Sequence, residues 1–303
     1  MSVDMKVSIG GVEFKNPVIT ASGTFAFGKE YLKYMDIEKL GGIGLKALTR
    51  EKRLGNPPVR IAETPSGILN SVGLQNPGVD YFVEKMWGEL KDYDTVMVAN
   101  VSGSAIEDYV YVVKRLDETE IPIYEINVSC PNVKHGGVNF GTDESTLANV
   151  VKQVRAATKK PIIIKLTPNV TSIAKMAKVA CDNGADGVSL INTLTGMAIN
   201  AKTRKPVLAN VTGGLSGPCV KPVALRMVNE VYNAVDIPII GMGGIMTGED
   251  AAEFMIAGAT AVMVGTATVI DPDASERIAA ELEDFCVEQG IESVSSLTGT
   301  LER

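Results

Sequence analysis

The sequence predicts an α/β fold, a closed (β/α)8 barrel of the TIM type, and three observations point to it. Eight short, almost continuously apolar segments recur along the chain, helix-period segments separate them, and no Pro-, Gly- or Ser-rich linker interrupts the series. Strands that are apolar throughout, rather than alternating, are buried on both faces, as parallel strands under helices are. Eight strand-then-helix repeats favour closure into a barrel. Pattern alone does not register closure, so a doubly wound open sheet is the alternative. Residues 1–303 read as one domain, a common size for a barrel.

The elements follow in order. The chain opens on a short β-hairpin, Val7-Ser8-Ile9-Gly10-Gly11-Val12-Glu13-Phe14, two alternating arms around a glycine pair that suits a two-residue turn. Barrel strands are expected at 17–22, 42–48, 95–101, 123–128, 161–167, 187–192, 238–241 and 261–265. Helical periodicity falls at 104–116, 144–158, 173–183, 222–235 and 249–257, and Trp87 in 83–90 reads as helix packing on the barrel. Thr171 and Thr247 stand at N-cap positions, and Gly184 and Gly258 just past two helix ends. Two inter-strand stretches, 49–78 and 193–217, are long and rich in Gly, Pro or Asn. Both follow strand C-termini, the face where barrels keep their chemistry, and long structureless loops there are expected to be lids or binding loops.

Composition narrows the function. A net charge of −7, with 36 acidic against 29 basic residues, argues against a nucleic-acid partner, which requires a clustered basic surface. No apolar run reaches the ~18 residues that span a bilayer, so no membrane segment is expected. Cys130, Cys181, Cys219 and Cys286 lie far apart, unlike the close pairs of zinc or iron–sulfur sites, and His135 is the only histidine. No metal site is expected, and a reduced, cytoplasmic protein fits this cysteine usage.

Chemistry must then come from Cys, Lys, Asn and a bound cofactor. Asn127-Val128-Ser129-Cys130-Pro131-Asn132 puts a thiol at the end of a buried strand, where a tuned thiolate can act as base or nucleophile; a small apolar residue closing the strand is the bland alternative. Lys165 sits in Ile162-Ile163-Ile164-Lys165-Leu166-Thr167, where a charge is costly unless it faces a polar centre or has a partner. It could hold an anionic cofactor ring, form a Schiff base, or snorkel from the strand end. Lys46 repeats the pattern on the second strand. Together the two lysines suggest an anionic ligand and an electropositive site that helps form the Cys130 thiolate. Asn100, Asn127 and Asn192 end three strands, each offering donor and acceptor without charge; Asn70 and Asn132 lie in loops. A Cys130–His135 dyad is disfavoured by the neighbouring Gly136-Gly137. Glycine-rich turns follow the last two strands, Gly241-Met242-Gly243-Gly244 and Val264-Gly265-Thr266, where barrels often bind phosphate. Met246 occupies the third glycine position of a dinucleotide fingerprint, so direct NAD binding of that kind is unsupported.

At these residues the chain resembles the class 1 dihydroorotate dehydrogenases, FMN enzymes of pyrimidine synthesis, from Asn16-Pro17 to Gly265-Thr266. The resemblance is carried by Asn70-Ser71-Val72-Gly73-Leu74-Gln75-Asn76-Pro77-Gly78, Asn127 to Asn132, and Gly213-Gly214-Leu215-Ser216-Gly217-Pro218. Gly55-Asn56-Pro57-Pro58-Val59-Arg60-Ile61-Ala62-Glu63-Thr64 and Lys134-His135-Gly136-Gly137 resemble the 1B branch, the catalytic subunit of an NAD-linked enzyme. The resemblance implies one FMN per chain, held by Ser22, Lys46, Ala47, Asn100, Asn127, Lys165, Ile191, Gly217, Gly243, Gly244, Gly265 and Thr266. It places dihydroorotate against Lys46, Asn70, Ser71, Val72, Gly73, Leu74, Asn127, Asn192 and Thr193, with Asn132 a further contact. Cys130 is then the base that takes the C5 proton while the flavin takes the C6 hydride, and the loop after Cys130 is expected to exclude water.

The resemblance also implies a partner: an iron–sulfur flavoprotein subunit carrying FAD and [2Fe–2S], joined to a homodimer of this chain in a heterotetramer. Four scattered cysteines cannot hold such a cluster, which agrees with electrons leaving through another polypeptide. The alternatives are the fumarate-using 1A branch, another FMN barrel acting on dihydropyrimidines, a Schiff-base lyase built on Lys165, and a non-catalytic binding barrel.

Overall fold

A computed structural model describes residues 3–129 and 140–302. Eight parallel strands close in sequence order: β1 (Val18–Thr20), β2 (Gly42–Gly44), β3 (Val96–Val101), β4 (Ile123–Asn127), β5 (Ile162–Lys165), β6 (Gly187–Leu190), β7 (Ile239–Met242) and β8 (Ala261–Val264). Ile19 stands opposite Gly42, Val98 opposite Ile123, Tyr124 opposite Ile162 and Val188 opposite Ile239; Val262 opposite Val18 completes the ring. Every residue of these strands except Val96 is buried. Burial on both faces is why the sequence reads as apolar runs rather than as alternation. The closed ring excludes the open doubly wound sheet.

The helices bury one stripe each. Ile106–Leu116 buries Tyr109, Val112, Val113 and Leu116, and Glu144–Ala157 buries Leu147, Val150, Val151 and Val154. Both follow the i, i+3, i+4, i+7 spacing of a helix face on a core, and each large side chain so buried stabilises by about 1.5–3 kcal/mol. Helices Ile173–Asp182, Lys221–Tyr232, Gly248–Ala257 and Ala274–Glu288 continue the outer layer. Thr247 caps its helix as expected: its hydroxyl accepts from Asp250 N, and Asp250 Oδ2 accepts from Thr247 N. The cap at 173 is Ser172 rather than Thr171. The helix starts at Ile173, and an N-cap hydroxyl must reach an N–H two or three residues on, here Lys175 N at 3.3 Å.

Two expectations require correction. The strand-then-helix repeat is incomplete at its start: the β1–β2 crossover holds only 3₁₀ turns, Lys29–Tyr31 and Ile37–Lys39. The β2–β3 crossover does carry a helix, one unbroken run of α, π and 3₁₀ geometry over Val79–Tyr81, Phe82–Met86 and Trp87–Glu89, and Trp87 is buried as expected, donating Nε1 to Glu120 at 2.7 Å. The long stretches 49–78 and 193–217 are also not structureless. They pair with each other in a four-stranded antiparallel sheet, ordered Leu194–Met197, Thr212–Ser216, Gly67–Asn70, Ile61–Thr64, with Leu215 opposite both Leu194 and Leu69. The N-terminal hairpin forms at Val7–Ile9 and Val12–Phe14, with Gly10 and Gly11 at φ +58° and +82°. It packs on the N-terminal ends of β5 and β6: a Cβ on Gly10 would stand 2.7 Å from Pro161 Cβ.

Candidate active site

The antiparallel sheet roofs the C-terminal end of the barrel, and between them lies a cavity of about 400 Å³, within the range that small ligands fill. The barrel contributes Ser22, Lys46, Asn127, Lys165 and Asn192 to its wall; the sheet contributes Ile61, Ile68, Asn70, Gly214 and Ser216. Among the described residues, Lys46 and Lys165 are the only charged groups lining it.

The two lysines differ in kind. Lys165 ends β5 and is 5% exposed; its Nζ donates to Glu125 Oε2 at 3.3 Å. Glu125, on β4, is fully buried and also accepts from Ser189 Oγ at 2.7 Å and from Asn100 Nδ2. The charge of Lys165 is therefore matched from behind the wall. Lys46, two residues past β2, has no hydrogen-bond or ion-pair partner for its amine among the described residues, and burial pushes its pKa down. Among the described residues, then, Lys165 has its counter-charge and Lys46 does not.

Amides supply the rest of the polar wall. Asn127 Oδ1 accepts from Ser129 N at 3.1 Å, and its Nδ2 has no acceptor among the described residues. Asn192 Oδ1 accepts from Thr193 N at 2.7 Å, and Asn192 Nδ2 lies 3.5 Å from Asn127 Oδ1. Asn70 Nδ2 lies 3.5 Å from Gly214 O, tying the roof together.

One edge of the cavity is glycine-built. Gly217, Gly243, Gly244, Gly265 and Thr266 line it, and Thr266 Oγ1 donates to Ser216 Oγ at 2.9 Å. At Gly244 (φ +81°) a Cβ would stand 2.9 Å from Gly217 O and 2.8 Å from Lys221 Cβ, so only glycine lets these two segments meet. Lys221 Nζ donates to Asp250 Oδ1, whose Oδ2 accepts from Met246 N at 2.8 Å, bracing the turn from outside.

Of the residues expected to hold FMN, all but Asn100 line this cavity. Asn100 is fully buried behind the wall, on Glu125. Of those expected against dihydroorotate, Asn70, Val72, Gly73, Leu74, Lys46, Asn127, Asn192 and Thr193 line it. Ser71 is buried behind, its hydroxyl without a partner among the described residues. Cys130, Asn132 and His135 lie outside the described residues. The apolar pattern that marks Lys165 also holds for Glu125 in Ile123-Tyr124-Glu125-Ile126-Asn127, a signal the sequence reading passes over; Ser189 and the roof residues carry none. Among the described residues no cluster of His, Cys, Asp and Glu could bind a metal, and no helix is long and apolar enough to cross a membrane.

Fold and cavity together define a (β/α)8 barrel whose C-terminal face is a roofed, cationic pocket suited to an anionic ligand. The family model described as Dihydroorotate dehydrogenase matches residues 4–286. The chain is 56% identical over 300 residues, 99% of its length and 98% of the relative's, to a protein of Geobacter metallireducens named dihydroorotate dehydrogenase B (NAD(+)), catalytic subunit. Proteins of the same name from Alkaliphilus metalliredigens and Bacteroides thetaiotaomicron are 55% and 54% identical, each alignment covering 99% of both chains. The chain belongs to the dihydroorotate dehydrogenase family.

Proposed function

We propose that this chain is the catalytic subunit of an NAD-linked dihydroorotate dehydrogenase, oxidising dihydroorotate to orotate in pyrimidine biosynthesis and passing the electrons to NAD through a partner subunit. The observation that carries this reading is the roofed cavity in which, among the described residues, Lys46 is the charged side chain left without a partner, set among asparagine amides in a chain of this family.

FMN suits the residues present. A glycine edge with no room for side chains fits a phosphate approached by backbone (Gly217, Gly243, Gly244, Gly265, Thr266). Ser22, Ala47, Asn127, Lys165 and Ile191 line the space that remains for a ring, with Asn100 acting from behind through Glu125. Bound there, FMN supplies the two-electron acceptor that no side chain offers. Lys46 binds the substrate carboxylate, and Asn70, Asn127 and Asn192, with the 71–74 segment and Thr193, match the amide edges of its ring. The Cys130 thiolate removes the C5 proton, and Asn132 is a further contact. The roof sheet excludes water from the transfer.

The relatives' name, catalytic subunit, supports a second polypeptide. We assign FAD and [2Fe–2S] to that partner, a homodimer of this chain to the core of the heterotetramer, and the cytoplasm as its location. The test supplies dihydroorotate with NAD, fumarate or an artificial dye as oxidant. The chain alone is expected to turn over with the dye and to leave NAD unreduced until the partner is added. Efficient fumarate reduction by the chain alone moves it to the fumarate-linked branch. Full NAD reduction by the chain alone removes the partner, and no oxidation under any condition overturns the reading.

A further inference from the structure

Glu125 sits where an acid is least expected, inside the barrel and 0% exposed, behind a wall whose charged side chains, among the described residues, are lysines. Its two oxygens collect donors from three other strands: Asn100 Nδ2 on β3, Lys165 Nζ on β5 and Ser189 Oγ on β6. A buried carboxylate persists only when it is paired and hydrogen-bonded, and these donors meet both requirements. The lysine gains as much from the arrangement. Its ammonium rides on a flexible four-carbon stem, and the 3.3 Å contact to Glu125 holds one of its three N–H donors at the wall. Its remaining donors are left for the cavity, which Lys165 lines. The other charged group facing that space among the described residues is Lys46, which follows β2, three strands round the ring from β5, and has no such tether there.

We propose that Glu125 is a positioning residue: its buried carboxylate fixes the Lys165 ammonium at the cavity wall and cancels its charge there, so that Lys165 orients and tunes the bound ring while Lys46, which has no such counter-charge among the described residues, faces an anionic ligand. Asn100 and Ser189 serve the same end by holding the carboxylate in place. This inference rests on the flavin reading above.

The test uses the full-length, FMN-loaded protein and reads the flavin's two-electron reduction potential, measured by dye equilibration with no substrate present. Glu125→Gln keeps the side-chain shape and removes the charge; it is compared with Lys165→Met and with the double variant. Glu125→Gln is expected to change the oxidised-to-reduced equilibrium by at least about tenfold, roughly 30 mV for a two-electron couple. The same substitution should have no further effect once Lys165 is Met. A purely structural carboxylate leaves the potential unmoved, and one acting on the ring directly keeps its effect in the Lys165→Met background; either result overturns the proposal. If Glu125→Gln does not fold, Ser189→Ala reads the same coupling, with a smaller shift that must also vanish in the Lys165→Met background, and no shift there overturns the proposal. Wild-type protein that takes up no FMN refutes the flavin reading itself, whereas FMN-loaded variants with uncoupled shifts refute only the role of Glu125.

Discussion

Replacing Lys46 with methionine should move stability and ligand affinity in opposite directions. In the ligand-free protein the Lys46 amine is half-buried and has no partner among the described residues, and burial holds its pKa below the usual 10.5. A lysine with a lowered pKa binds fewer protons folded than unfolded between its folded pKa and 10.5, so stability rises with pH across that window. Below the window the burial cost of the charge is fully felt. Lys46→Met keeps the length and apolar stem of the side chain and removes that cost. The ligand-free variant should therefore be at least as stable as wild type at neutral pH and should lack the part of the alkaline rise that Lys46 provides. Affinity for dihydroorotate, by contrast, loses one charge-assisted hydrogen bond worth about 1.5–3 kcal/mol, or roughly ten- to a hundredfold in Kd. Thermal unfolding of the apo protein against pH, together with equilibrium titration of the FMN-loaded variant with orotate, reads both effects. A Lys46→Met protein that is clearly less stable without ligand, and binds orotate as wild type does, would remove Lys46 as a buried charge held for the ligand.

Other substitutions probe other parts of the site. Cys130→Ala should bind FMN and remain yellow, with flavin reduction by dihydroorotate slowed by ~10²–10⁴-fold, the usual contribution of a general base; stopped-flow bleaching at the wild-type rate would remove Cys130 from the mechanism. Gly244→Ala forces a Cβ into contact with Gly217 O at a positive φ, a strain of about 1–2 kcal/mol before any clash, so FMN should wash out during gel filtration; full retention would free the glycine edge of that role. Thr247→Ala removes a helix cap and should cost ~1 kcal/mol of stability by denaturant unfolding, without altering FMN uptake.

Much of this molecule is legible in the sequence where burial is symmetric. The eight barrel strands announce themselves because both faces are covered, and Lys165 and Lys46 are conspicuous because a charge interrupts an apolar run. The roof is hidden for the opposite reason. Its strands are short and interrupted by Gly and Thr, and Leu69 finds its partner Leu215 more than a hundred residues away, beyond any local pattern. Glu125 obeys the same rule as Lys165, yet its meaning depends on the register that brings β3, β5 and β6 around it. Asn100 shows the converse: its place at a strand end suggests a ligand contact, whereas the barrel gives its Nδ2 to Glu125 and leaves its buried Oδ1 without a partner among the described residues. Strand ends can be read from sequence; which side of the wall a side chain occupies requires the closed ring.

If dihydroorotate and FMN meet in the roofed cavity, a visible absorption spectrum reads their encounter. Purified protein incubated with FMN and freed of excess should show a flavin band, and one equivalent of dihydroorotate added without oxygen should bleach it. A protein with no such band, or with a band that dihydroorotate leaves unchanged, contradicts the account.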